Sequence, residues 1–132
     1  MSGVTYDRAA ALVAAAIGAA ERMGIRVGVV VLDDAAEEIA LAKMDGAYRT
    51  ATTLARKKAF TALNFGVPSA VMAERIQPEG RQAIVALADS RLTFIGGGVP
   101  IPGADDAPAG AIGISGGTAA QDIECCEAAL AS

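Results

Sequence analysis

The 132 residues are 53% hydrophobic but only 4% aromatic, with no Trp, no His and a net charge of −4. That length suits one domain around one core, which must be built from Ala, Val, Ile and Leu. The acidic balance offers no basic face for nucleic acid, no apolar run reaches the ~18 residues of a membrane span, and the absence of His removes the commonest metal ligand and general base. The opening MSGVTYDRAA carries an acid and no basic stretch ahead of an apolar one. It does not read as a signal peptide, so a cytoplasmic protein is expected.

Thr5 to Met23 reads as a helix, with Ala9, Leu12, Val13, Ala16, Ile17 and Ala20 at helical spacing and Gly24 as its stop. Ile25 to Leu32 (IRVGVVVL) is a strand apolar at nearly every position, hence covered on both faces. Asp33 to Glu37 turns into a second strand, Ile39 to Lys43, to make a hairpin. Met44 to Arg49 is a loop, and Thr50 to Phe65 is an amphipathic helix ending at Gly66. Ser69 caps a short helix to Ile76, Pro78-Glu79-Gly80 breaks the chain, and Gln82 to Ala88 gives a helical turn or two. Arg91 to Ile95 is expected as a third strand, followed by Gly96-Gly97-Gly98. Ala109 to Ser115 is a fourth strand, and Gly116-Gly117 leads into a last helix, Ala119 to Ala131, with Thr118 and Gln121 as a capping box. Without βαβ alternation, the order implies an α+β fold with an antiparallel sheet carrying helices, in one domain over 1–132.

Four features can carry chemistry. Lys58 falls in the middle of the apolar stripe formed by Ala51, Leu54, Ala55, Ala62 and Phe65. Burying an ammonium without a partner costs several kcal/mol, so the chain must supply a partner, lower its pKa or open a pocket there. A lysine snorkelling from the edge of a buried face is the bland alternative. On the pocket reading, Lys58→Met is expected to preserve stability and abolish binding. Gly96-Gly97-Gly98 exposes successive N–H groups to a ligand, or forms a bend. Ser115-Gly116-Gly117-Thr118 opens the last helix, where free N–H groups and the dipole suit an anion, or where Thr118 simply caps. In Met44 to Arg49, Asp45 can pair with Lys58 or Arg49, and Arg49 can clamp an anion, unless the segment is only a solvated turn. Acid–base work would fall to Lys58, Asp45, Tyr48, Asp122 or Glu124. The adjacent Cys125 and Cys126 point about 100° apart on a helix, so a mutual disulfide is not expected, and no metal site is expected.

Four segments occur in the order of one family pattern: Lys43-Met44-Asp45-Gly46-Ala47, Lys58-Ala59-Phe60-Thr61-Ala62, Gly96-Gly97-Gly98-Val99-Pro100-Ile101, and Gly110 to Gly117 with Gln121-Asp122. Together they resemble the GlcG/HbpS family, haem-degrading-domain-like and similar to the C-terminal domain of PduO. The resemblance implies a profilin-like α/β/α fold with about five antiparallel strands, self-association from dimer to octamer, and haem binding in some members. It brings Asp45, Lys58, Gly96 to Gly98, Gly116, Gly117 and Asp122 forward as family-pattern positions. The chain departs from it at the first hairpin turn, Asp34-Ala35-Ala36-Glu37-Glu38, where relatives have Gly followed by a polar residue. It departs also at Lys43, which replaces an Arg, and in lacking His.

Three functions follow. The first is an oligomeric module binding a small anionic metabolite through Lys58, Arg49 and the glycine N–H groups. The second is an enzyme, an isomerase or tautomerase, lyase or hydrolase, on a small oxo, imino or enol acid. Lys58 would be its acid–base group or amine, with Asp45 or Tyr48 as partner. The third is haem binding or degradation, which the resemblance implies and the lack of His disfavours, since Tyr, Met, Cys or Lys would have to ligate. No cofactor is otherwise expected.

Overall fold

The computed structural model describes residues 3–77 and 81–132. Pro78-Glu79-Gly80 lies outside them. Helix α1 (Tyr6–Met23) begins at Thr5, whose hydroxyl accepts from the Arg8 N–H, and ends at Gly24 in the left-handed region, φ 73°. Strands β1 (Gly28–Asp33) and β2 (Glu38–Lys43) follow, then α2 (Ala51–Phe65), α3 (Ser69–Ile76) and α4 (Arg81–Ala88). Strands β3 (Gly98–Ile101) and β4 (Gly110–Ser115) and helix α5 (Ala119–Ala131) complete the chain. The four strands form one antiparallel sheet in the order β2-β1-β4-β3.

The alternation of strand residues divides the core into two layers. Val29, Val31, Ile112 and Ile114 face α1 and α5, with Leu12, Ala16, Cys126 and Ala129 packed against them. Val30, Leu32 and Ala111 face α2, against Ala55, Ala59 and Phe60. Both central strands are therefore buried on both faces, as their unbroken apolar runs require. Small residues let α2 lie close to the sheet. A Cβ on Gly28 would come within 2.9 Å of the Ala51 backbone, and one on Gly113 would overlap the Ala55 carbonyl.

Two expectations are corrected. The sheet has four strands, not the about five that the resemblance implies, and its third strand is Gly98–Ile101 rather than Arg91 to Ile95. Buried hydroxyls on the neighbouring helices take two of that segment's backbone groups, and Asp89 takes the Arg91 and Leu92 N–H groups. Thr61 Oγ1 accepts from the Thr93 N–H at 2.9 Å, and Ser69 Oγ donates to the Ile95 carbonyl at 2.7 Å while accepting from the Gly98 N–H at 2.9 Å. With those groups satisfied, no strand neighbour is needed. Ser69 accordingly is not the cap of α3, which is Pro68, but a buried pin beneath the glycine run.

The β1–β2 turn is held by Asp33, whose Oδ1 accepts from the Ala35 and Glu37 N–H groups, each at 2.9 Å. Within it Ala36 adopts φ 64°, a region costing an L side chain about 1–2 kcal/mol. Ala36→Gly is therefore expected to stabilise the fold by about 0.5–1 kcal/mol, reduced from the full strain by the added freedom of the unfolded chain. Urea denaturation checks this, and a lower midpoint at unchanged slope would contradict it.

Candidate functional site

Strand pairing brings the candidate loops to one end of the sheet. Gly28 at the start of β1 pairs with Lys43 at the end of β2 and with Ser115 at the end of β4. Gly98, at the start of β3, pairs with Gly113 nearby. Met44 to Thr50, Gly96-Gly97 and Gly116 to Thr118 all therefore leave from this end.

Beneath these loops lies a buried ion pair. Lys58 is 2% exposed, and its Nζ donates to Asp122 Oδ2 at 3.1 Å and to the Ile114 carbonyl at 3.0 Å. Asp122, equally buried, accepts from the Gly117 N–H through its other oxygen at 2.9 Å. Lys58 belongs to the helix on one face of the sheet and Asp122 to a helix on the other. The pair thus ties the two layers together around the start of β3. Glycine makes the passage possible: Gly97 has φ 125°, and a Cβ there would lie 3.0 Å from both Lys58 Nζ and Asp122 Cβ and 2.6 Å from the Ile114 carbonyl. Gly116, at φ 143°, lies against the Arg26 carbonyl with no room for a side chain.

The partner of Lys58 is therefore Asp122 and not Asp45. Asp45 is exposed on its loop, as are Tyr48 (72%) and Arg49. These three stand at the same end of the sheet but outside the buried cluster. Lys58, Gly97 and Asp122 are in mutual contact, with Gly98 against the Lys58 backbone and Gly117 bonded to Asp122; Ser115, also buried, ends β4 beside them. Gly96 packs against Ile123 and Ala70.

The start of α5 is a cap. Thr118 Oγ1 accepts from the Gln121 N–H while Gln121 Oε1 accepts from the Thr118 N–H, a complete capping box. With the Gly117 N–H given to Asp122, the helix's first-turn anion position is taken by the chain's own carboxylate. The Ala119 and Ala120 N–H groups, on exposed residues, have no intrahelical partner. Asp122 carried a signal that sequence reading did not weigh. It stands in the buried face Asp122, Cys125, Cys126 and Ala129, an acid in an apolar stripe just as Lys58 is a base in one.

Both cysteines are free and buried. Burial pushes the Cys125 thiol up to about 11 and the Cys126 thiol higher still, so both stay protonated at neutral pH. Cys126 Sγ donates to the Gly97 carbonyl at 3.3 Å, another pin on the glycine run. Among the described residues no group of three or more His, Cys, Asp or Glu could hold a metal, and no helix is long and apolar enough to cross a membrane.

No curated protein matches the sequence. Solved structures do. A double mutant of HbpS from Streptomyces reticuli is 30% identical at a TM-score of 0.89, over 99% of this chain and 87% of that one. The Klebsiella pneumoniae protein ORFY is 25% identical at a TM-score of 0.92, over 99% and 90%. A PduOC:haem complex is 26% identical at a TM-score of 0.87, over 98% and 94%. The family model described as haem degrading protein HbpS-like matches residues 4–131, nearly the whole of the fold built above, and the chain belongs to that family.

Proposed function

We propose that this chain is a small-ligand-binding member of the family, and that its ligand is a small anionic metabolite held at the sheet end where the three loops leave. One observation carries this reading: the segments bearing the exposed Arg49 and Tyr48 and the Ala119 and Ala120 N–H groups leave the sheet at one end, the end that holds the buried Lys58–Asp122 pair. The pair holds Gly117 through Asp122 and packs against Gly97, so Lys58 supports the loops and the exposed donors meet the anion. An amine role for Lys58 would require its ammonium to give up both acceptors.

Haem is the ligand in the PduOC complex. The chain has no His to ligate its iron, which disfavours haem here. Both tyrosines are largely exposed, Tyr6 at 67% and Tyr48 at 72%, both thiols are buried and held protonated, and Met44 Sδ already accepts from the Val27 N–H. Haemin added to the protein is expected to give no sharp one-to-one Soret band.

Thermal unfolding with millimolar pyruvate, oxalate and succinate tests the proposal, since a ligand at a hundred times its Kd stabilises the fold by about 2.7 kcal/mol. At least one should raise the Tm, and Arg49→Gln should remove the shift. No shift with any of them, or an undiminished one in Arg49→Gln, counts against the proposal.

The reading includes self-association. None of the eight residues of α4 is buried, and Ile84 and Leu87 are 66% and 87% exposed. A short helix gains little from its own hydrogen bonds without an apolar face to bury. Light scattering at micromolar concentration is expected to give a multiple of 13.2 kDa, and a monomer mass would refute it.

A further inference from the structure

The opposite end of the sheet holds a concavity. It lies between the β1–β2 turn, one face of α2 and the segment after α4, with a volume of about 390 Å³. Leu32, Ala36 and Phe60 give it an apolar floor, and Lys57, Arg91 and Glu37 line it with charge. The Arg91 guanidinium lies 4.3 Å from the centroid of the Phe60 ring, while Asp89 holds its Nε and Nη2 at 3.0 and 2.8 Å. Those bonds fix the guanidinium plane, yet its side chain stays 68% exposed. Arg56, also on this face, is bound to Glu38 through Nε at 2.7 Å. Lys57 makes no ion pair among the described residues.

We propose that this groove binds a small planar carboxylate, such as an aromatic acid, with its flat apolar part on the floor beside the fixed guanidinium and its carboxylate on Lys57. The lining chooses between ligand classes. A wholly apolar ligand would cover Lys57 without compensating its charge. A bare phosphate would leave the apolar floor wet. A flat acid answers both, because a guanidinium plane stacks on π systems and an ammonium takes a carboxylate. Glu37 opposes the anion, and its removal should help rather than harm. The Ala36 methyl, projecting from a residue at positive φ, forms part of the floor.

Titrating the full ¹⁵N-labelled chain with benzoate, and separately with benzamide, tests the proposal. Benzoate is expected to cause saturable shifts confined to the amides of residues 32–37, 53–60 and 90–91, with benzamide binding at least about tenfold more weakly. Lys57→Gln should weaken benzoate by about tenfold and Glu37→Gln should tighten it roughly twofold, opposite signs from two residues that are not buried and whose replacement should leave the fold unchanged. Arg49→Gln should have no effect, so failure here is distinguishable from failure of the site at the other end. The proposal is overturned by the absence of saturable shifts, by equal binding of benzamide, by wild-type affinity in Lys57→Gln, or by shifts confined to residues 45–49 and 117–120.

Discussion

Lys58→Met is expected to destabilise the protein by about 3–5 kcal/mol, because it leaves the Asp122 carboxylate buried with only the Gly117 N–H to hold it. This reverses the expectation drawn from the lysine alone. A buried ammonium without a partner is a liability whose removal helps, whereas removing one half of a buried pair strands the other. The double replacement Lys58→Met with Asp122→Leu should recover most of the loss, since well-packed apolar residues of similar volume often serve as well as a buried ion pair. Urea denaturation of the wild type, both single variants and the double variant closes the cycle. Single variants within about 1 kcal/mol of wild type, adding independently in the double, would show that the pair contributes nothing in solution.

Gly113→Ala is expected to cost about 3 kcal/mol or more, a fall in Tm on the order of 10 °C for a chain of this size. Its Cβ would enter the Ala55 carbonyl, which belongs to helix backbone and cannot rotate away, so α2 must lift from the sheet. Gly117→Ala is the contrast. Its Cβ would meet Gln121 Oε1 at 2.8 Å and Ile25 Cδ1 at 2.9 Å, both side-chain ends that can shift, and its φ is not positive. Gly117→Ala should therefore cost clearly less stability than Gly113→Ala while disturbing the capping box and the loop over Asp122. Equal melting temperatures for the two variants would refute this account of α2–β4 packing.

The helices were legible because their signals are local. The boundaries of α1 and α5 follow from Thr5, Gly24 and the Thr118–Gln121 box, each of which acts within a few residues of the end it specifies. The burial of β1 and β4 on both faces was equally plain from their apolar runs. The third strand was misplaced because Arg91 to Ile95 has strand composition. Its hydrogen-bond partners, Thr61 and Ser69, stand 32 and 26 residues away on two helices, and no local pattern announces them.

The candidate site divides in the same way. A lysine in an apolar stripe, an acid in another, and glycine runs beside both can be seen in the chain itself, and they establish that a buried charge must be compensated. Its partner was decided only by tertiary structure. Asp45 is nearer in sequence, but it is exposed on its loop, whereas the pairing of β1 with β4 and of β4 with β3 sets α5 where Asp122 reaches Lys58 across 64 residues. The same packing placed Tyr48 and Arg49 outside the buried cluster and opened the groove over Phe60 at the far end. Propensity and periodicity act over a few residues. The pairing of charges and the shape of a cavity depend on which distant surfaces the sheet register brings into contact.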